Sequence, residues 1–387
     1  MTIAFYAPLK PPTHPVPSGD RRMARLLMAA LHQAGFQVDL CSRFRSFDGR
    51  GDPDRQSRIA ALADRMIPRL VQRLQHLPPS RRPVAWFTYH LYHKAPDWFG
   101  PRIAQTLGIP YLVAEASHAP KQAGGPWDIG YQSAAAAIPV ADRIFSFTAR
   151  DSAGLESLVP ANKLVPLAPF LNVHNLQTPA RAAARHQLAA QYGLPGDEPW
   201  LLAVGMFRHG DKLDSYKVLA AALSHILERP WQLLIVGDGV ARDEVRHIFA
   251  PMDVRIRFLG QQDEAALAQI YASVDLMVWP AIREAYGMTL LEAQAAGVPV
   301  VAGAGTGVDA VVASGQGGII VPATGADLVA GLATATAELL DDPVHRMTLA
   351  KSARDRVRQH HDLPIAAAVL RKNLADLGVV PLRGISS

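Results

Sequence analysis

Short apolar runs separated by helical segments recur along this 387-residue chain, and that alternation limits its fold more than any other feature. In the first half, IAFYAP (3–8), FQVDLCS (36–42), VAWFTYH (84–90), PYLVAEAS (110–117) and RIFSFTA (143–149) read as strands. Between them lie DRRMARLLMAALHQAG, closed by Gly35, and residues 54–77, with Ile59, Leu62, Met66, Leu70 and Leu74 at helical spacing. DWFGPRIAQTLG and an alanine-rich stretch over 130–141 complete the set of helices. Ser18 and Asp20 are both candidate caps for the first helix, and Pro68 is placed to kink the second. After VPLAPFLNVHNLQTPA (165–180), proline-spaced and aperiodic, the pattern restarts: PWLLAVGMF (199–207), WQLLIVGDG (231–239), VRIRFLG (254–260), DLMVWP (275–280), PVVAGA (299–304) and GGIIVP (317–322). Helical segments then run from 325 to the end. Alternation of this kind predicts an α/β protein with parallel sheets covered on both faces. Two domains are expected, 1–172 and 173–361, with function at the strand ends and the crevice between the two sheets as the default site.

Composition narrows the class. A single cysteine, Cys41, excludes an internal disulfide framework and a multi-cysteine zinc site, and points to a reducing compartment. MTIAFYAPLKPPTHPVP breaks its short apolar run with prolines and lacks signal-peptide architecture. No run approaches the ~20 apolar residues of a membrane span. A soluble cytoplasmic protein is therefore expected. The net charge of +5 is unevenly spread: between Cys41 and Pro83 ten arginines stand against four aspartates. Arg43, Arg45, Arg50, Arg55, Arg58, Arg65, Arg69, Arg73, Arg81 and Arg82 make this either a solvated helix face or a surface for anionic headgroups or an anionic acceptor. No aromatic stacking pattern accompanies them, which argues against nucleic acid.

The chemistry concentrates in EAYGMTLLEAQAAGVPVV (284–301). A strand ends at Pro280, a loop carries Glu284, and a helix begins near Met288 with Glu292 on its first turns. The first amides of such a helix have no intrahelical partners and suit a phosphate, while Gly287 allows close backbone approach. Glu292 is placed to accept hydrogen bonds from ribose hydroxyls, and Glu284 to meet the sugar at the other end of a nucleotide diphosphate-sugar.

Acid, seven residues, acid, with an internal Tyr286-Gly287 and the closing EAQAAGVPVV, resembles the donor-site signature of family 4 (group 1) retaining glycosyltransferases of GT-B fold. LLIVGDGVARDEV, RFLGQQDEAALAQIYASVDLMVWPA and GQGGIIVP agree in order and spacing, so the likeness is strong over about 199–325 and weaker over 1–170. It implies two Rossmann-like domains facing across a cleft, the first binding acceptor and the second donor, with the chain's last helix, 362–387, packing back on the first. In VGMFRHGDKLDSYK (204–217) the family commonly places an arginine and a lysine that neutralise the departing diphosphate in place of a metal. Met206 stands where that arginine is usual, leaving Arg208 and Lys212 as the nearest cations, with Lys217 behind them.

The same resemblance assigns Glu284, Arg208, Lys212 and His118 to catalysis, and Glu292, Gly287, Met288, Thr289, Tyr286, Gly237 and Gly19 to the donor. Asp20, His90, Lys94 and Glu115 are the acceptor-side candidates. His118 lies two residues beyond the usual strand-end histidine, so Glu115 competes with it. The loop AGTGVDAVV (304–312) carries Ala310 where relatives have an acid and reads as structural. The implied activity is transfer of a sugar from a nucleotide diphosphate-sugar to the hydroxyl of a glycan or glycolipid, with retention, without cofactor or metal. Peripheral membrane contact would run through 43–82. The competing readings are a non-catalytic nucleotide-sugar-binding protein and a nucleotide-sugar epimerase or phosphorylase on the same fold.

Overall fold

The computed structural model describes residues 1–16, 18–176, 179–322 and 325–381. They form two compact units: Met1–Ala168 together with the chain from Leu363 onward, and Pro169–Asp362.

The first unit is built on strands β1 (Thr2–Tyr6), β2 (Gln37–Ser42), β3 (Pro83–Leu91), β4 (Tyr111–Ala116), β5 (Arg143–Ser146) and β6 (Leu164–Pro166). All pair in parallel, in the order β2-β1-β3-β4-β5-β6. Parallel neighbours need crossovers, and the helices Gly19–Gln33, Pro53–Gln75, Gly100–Leu107 and Asp128–Val140 supply them. Every residue of β1 and β4 is buried, the pattern of strands covered on both faces. Trp86, Tyr6, Phe99, Ile103 and Ile144 fill one core layer, with Cys41 among them. Burial pushes the Cys41 thiol up to about 12, so it packs as an inert apolar group. The helix Leu363–Asp376 packs on Gly19–Gln33, and the Arg143 guanidinium donates to Asn373 Oδ1 at 3.3 Å.

The second unit repeats the plan with β7 (Trp200–Val204), β8 (Gln232–Val236), β9 (Ile256–Gly260), β10 (Leu276–Trp279), β11 (Val300–Gly303) and β12 (Gly318–Val321). Their order is β12-β11-β10-β7-β8-β9, again all parallel. In each unit the strand order reverses once, between β1 and β3 and between β7 and β10. Crevices open at such reversals, beyond the carboxyl ends of the strands.

Several local expectations are corrected. The second helix continues through Pro68, with its face of Ala63, Ile67, Leu70 and Leu74 buried. The fifth apolar run stops at Ser146, because Thr148 caps a short helix, Ala149–Ala153, by accepting from the Asp151 amide. The stretch read as a bare connection contains β6, and a further helix, Arg181–Tyr192, follows it. Ser18 is the cap of the first helix, its Oγ accepting from the Arg21 amide at 3.2 Å, which releases Asp20 for other contacts. Residues 382–387, within the expected last helix, lie outside the described residues.

Gly237, after β8, has φ of 152°, and a Cβ there would lie 1.8 Å from the Gly205 carbonyl oxygen. Its bareness thus serves the packing of two strand-end loops. Gly237→Ala is expected to destabilise the second unit by at least ~3 kcal/mol, since backbone must move at a left-handed position. Urea unfolding checks this; a loss below ~1 kcal/mol would show that the loops yield freely.

Candidate functional site

The reversal between β7 and β10 collects the donor candidates. After β10 the chain enters the loop Pro280–Tyr286, in which Ala281 (φ 56°) and Arg283 (φ 48°) take left-handed conformations that side chains disfavour. Each costs about 1–2 kcal/mol, and such strain concentrates where geometry is imposed for function. The loop is pinned from below: Ser215 Oγ accepts from the Ile282 amide at 3.2 Å, and the Glu284 amide closes a turn on Ala281 O at 3.1 Å. A Cβ at Gly307 would fall 2.3 Å from Ala285 O, so the loop 304–312 supports the turn by close backbone packing.

Glu284 projects from this turn into a fixed setting. Its Oε2 receives the Lys212 ammonium and, at 3.2 Å, the Trp279 indole N–H. Lys212 comes from the helix Asp211–Ser224 and also lies over the Trp279 ring, 5.2 Å from its centroid. Trp279 is wholly buried and packs edge-on against Tyr216, whose hydroxyl donates to Gly205 O. Both ends of the ion pair are about one-sixth exposed, 15 % and 17 %, so it is neither dry nor free in solvent. Such a pair can open towards a ligand without stranding a charge in apolar surroundings.

The helix Met288–Ala295 starts immediately afterwards, with Gly287 as its N-cap at φ of 61°. Gly287 contributes no capping side chain, and the first turn carries no acid. Helices elsewhere are capped by Ser18, Asp52, Asp263 and Asp342. The amides of Met288, Thr289 and Leu290 precede the first helical bond, Leu291 N–H to Gly287 O, and so have no intrahelical acceptor, an arrangement that suits an anion. One turn on, Glu292 is buried and accepts from the Tyr271 hydroxyl at 3.1 Å. The structure therefore brings Lys212, Glu284, Gly287, Met288, Thr289 and Glu292 to one strand-end reversal. Tyr286 sits half-exposed in the same turn, whereas Arg208 is exposed on the loop after β7, beside an exposed Met206. Tyr271 was not anticipated; its only signal is a helical position in DEAALAQIYASV, indistinguishable from core.

The reversal in the first unit holds a second group of ionisable residues. His90 at the end of β3 (φ 67°) and Glu115 near the end of β4 (φ 60°) are both left-handed, and with Ala281 and Arg283 they are the only such non-glycine residues described. Asp20 Oδ1 lies 3.2 Å from His90 Nδ1, and Glu115 Oε1 lies 3.6 Å from His90 Nε2. Burial pushes the Glu115 carboxyl up to about 7 against the lowering effect of His90. Burial acts to lower the His90 value, but the Glu115 charge and the Asp20 contact together raise it. Asp20 is held below its ordinary range, because the His90 hydrogen bond and charge outweigh burial.

His118 does not join this group. Its ring stacks on Tyr131, and Nε2 lies 3.2 Å from the Tyr131 hydroxyl. Lys94 caps the face of Trp127, 4.6 Å from the ring centroid. Gly19 stands exposed at the first position of its helix, with open space where a Cβ would be. Three of the four acceptor-side candidates therefore converge at one reversal, while the strand-end histidine there is His90.

Known proteins share part of this chain's sequence and its fold. Residues 198–342 match the model of the glycosyl transferases group 1 family. The phosphatidyl-myo-inositol mannosyltransferase of Mycolicibacterium smegmatis is 33 % identical over 182 residues, 46 % of each chain. The D-inositol 3-phosphate glycosyltransferase of Xylanimonas cellulosilytica is 30 % identical over 247 residues, 60 % of this chain and 57 % of that protein. The chain spans about half the length of the curated relatives it matches. Over almost the whole chain it has the fold of sucrose-phosphate synthase from Thermosynechococcus elongatus (TM-score 0.71, 23 % identity, 97 % and 99 % covered). The same holds for Anabaena HepE in complex with UDP (TM-score 0.72, 15 % identity, 97 % and 100 % covered). The architecture is therefore GT-B, and residues 198–342 are similar to the glycosyl transferases group 1 family.

Proposed function

We propose that this protein transfers a sugar, with retained anomeric configuration, from a nucleotide diphosphate-sugar to the hydroxyl of a glycan or glycolipid. The observation that carries the reading is the meeting of Lys212 and Glu284 beside the uncapped start of the helix Met288–Ala295. The amides take the diphosphate, Glu292 the ribose hydroxyls, and Glu284 the sugar. HepE, of the same fold, is described in complex with UDP and UDP-glucose, which favours a uridine nucleotide as the first donor to try.

In the proposed reaction the acceptor oxygen attacks the anomeric carbon on the face the diphosphate leaves. The C–O bond to the phosphate breaks with its electron pair, and the leaving phosphate oxygen takes the acceptor's proton. Charge grows on the diphosphate as that bond breaks, so a fixed cation lowers the barrier more than it strengthens donor binding. Lys212 is the cation in position. Arg208 is exposed on the loop after β7, and His118 has no part in this reading.

The test is a thermal-shift panel of nucleotides and nucleotide-sugars, followed by turnover with the selected donor. Phosphatidyl-myo-inositol and D-inositol 3-phosphate head the acceptor panel, because the relatives described above are named for them. Release of nucleoside diphosphate that requires acceptor is expected. Donor binding without turnover across the panel would instead identify a nucleotide-sugar sensor.

Association with an anionic membrane surface is part of the same reading. Among the described residues no helix is long and apolar enough to cross a membrane. The helix Pro53–Gln75 displays Arg55, Arg58, Arg65 and Arg69 on its solvent side with Leu62 exposed among them. Near an anionic surface each arginine contributes about 1 kcal/mol. Replacing all four by glutamine should abolish co-sedimentation with vesicles containing phosphatidylglycerol and leave soluble-acceptor turnover unchanged. Equal sedimentation of both forms would remove the membrane from the proposal.

A further inference from the structure

The loop 43–52 leaves β2, the edge strand of the first sheet, and enters the helix Pro53–Gln75. It stands outside both strand-order reversals, and no residue of the sugar-transfer site lies on it. It borders a hollow of about 500 Å³ lined by Phe47, Asp48, Arg50, Asp52 and Arg55. The shape is fixed from inside. Asp48 is 2 % exposed and takes three N–H donors: the Arg50 amide at 3.1 Å on Oδ1, and the Asp52 amide and Gln56 side chain, each at 2.9 Å, on Oδ2. The Trp127 indole N–H donates to Asp48 O at 3.0 Å, and buried Gln56 also bonds Pro126 O and the Gly130 amide. Gly51 has φ of 70°, and a Cβ there would fall 2.6 Å from Pro126 Cβ. A loop fastened in this way has little ordering left to lose on binding.

These contacts leave the arginines over. Arg50 and Arg55 are exposed, and among the described residues neither guanidinium makes a hydrogen bond or an ion pair. Arg45 adds a cation beside the hollow, 5.6 Å over the Phe47 ring. Asp48 spends both oxygens inside the loop, whereas Asp52 uses Oδ1 for the Arg55 amide and keeps Oδ2. The Asp52 charge works against a weakly charged anion, so the ligand retained here is one that engages both guanidiniums at once. A phosphomonoester does so, with three free oxygens and roughly −1.5 to −2 charge at neutral pH, where a phosphodiester has two oxygens and a single charge.

We propose that this hollow is a phosphomonoester-binding site and that it takes the headgroup of an anionic lipid. The lipid source follows from its place at the head of the helix whose Arg55, Arg58, Arg65 and Arg69 surround exposed Leu62. The assignment rests on the membrane part of the proposed function and deepens it. The helix supplies attraction to any anionic surface, and the rigid loop selects among headgroups. Arg50 lies off the helix and therefore separates the two roles.

The experiment compares co-sedimentation of the full chain with phosphatidylcholine vesicles that contain either phosphatidic acid, a monoester, or phosphatidylglycerol, a diester, matched in zeta potential. The wild type should bind the phosphatidic acid vesicles about tenfold more tightly, the scale of one charge-assisted contact. Arg50→Gln and Arg55→Gln should each lose that preference, and Arg50→Gln should keep wild-type affinity for phosphatidylglycerol and wild-type thermal stability. Glycerol 3-phosphate should raise the Tm of the wild type and compete with phosphatidic acid, while dimethyl phosphate at equal ionic strength should do neither. Equal binding of the two vesicles by the wild type, or a preference that survives in both variants, would overturn the headgroup assignment and leave surface association standing. A glycerol 3-phosphate response that Arg50→Gln abolishes, without sedimentation on either vesicle, would keep the phosphate site but overturn its lipid source together with the membrane reading.

Discussion

Lys212→Ala is expected to lower kcat by about two to three orders of magnitude while weakening nucleotide diphosphate binding less than tenfold. The magnitude is that of losing one preorganised partner of a charge that develops in the transition state. The asymmetry between rate and affinity follows from when the charge appears. In the proposed reaction a bound donor already presents a diphosphate to the helix amides, whereas the extra charge on its outer oxygen arises as the glycosidic bond breaks. The ammonium is held by Glu284 and by the face of Trp279, so it is already in place and little side-chain entropy remains to be lost. Lys212→Arg should recover only part of the rate, since a planar guanidinium cannot occupy the same point above the indole. Calorimetric donor affinity beside steady-state rates decides the matter. Equal losses in both would make Lys212 a binding residue alone.

The cluster at the β7/β10 reversal was legible because its geometry is written in local chemistry. A glycine at a helix start, flanking acids at fixed spacing and an apolar run ending in proline each have one dominant conformational meaning. The first unit was less legible, and His90 shows why. TYHLYHK reads as a strand that simply ends, and nothing in it announces that histidine takes a φ of 67°. That conformation turns its ring towards Asp20, 70 residues away in sequence and only 3.2 Å in space. His118 follows an equally plausible strand end, yet Tyr131 holds it in a stack. The helix Arg181–Tyr192 escaped for a related reason: it buries only Ala184 and Leu188, too few apolar positions to mark a period. Its anchorage is tertiary, with Arg185 over the Trp200 ring at 4.0 Å and both Arg181 and Arg185 on Asp275. Parallel sheets, whose strands are buried on both faces, are thus easily read, while contacts that join distant strand ends are not.

Glu292→Ala is expected to weaken nucleotide binding by ten- to a hundredfold, matching the roughly 1.5–3 kcal/mol of hydrogen bonds to a charged group. Three features of the structure support a change in binding without a change in fold. Glu292 lies on the second turn of its helix, where alanine is the most favourable residue. One side-chain partner, Tyr271, bonds through a hydroxyl that also lies 3.4 Å from Thr289 O and can turn to that acceptor. Glu292 is 6 % exposed, so alanine removes a buried polar group even as it opens a small space. Glu292→Gln separates charge from shape: if the ribose hydroxyls are the partners, the amide should retain part of the affinity for ribonucleotides and discriminate less against 2′-deoxy nucleotides. Tyr271→Phe should cost less than either, because it removes the group that orients the carboxylate and leaves the acceptor itself. Unchanged affinity of Glu292→Ala for UDP and its deoxy analogue, by calorimetry on a protein of unaltered thermal stability, would break the link between this acid and a ribose. With that link gone, the uncapped helix start would still bind an anion, but nothing in the second unit would select a nucleotide.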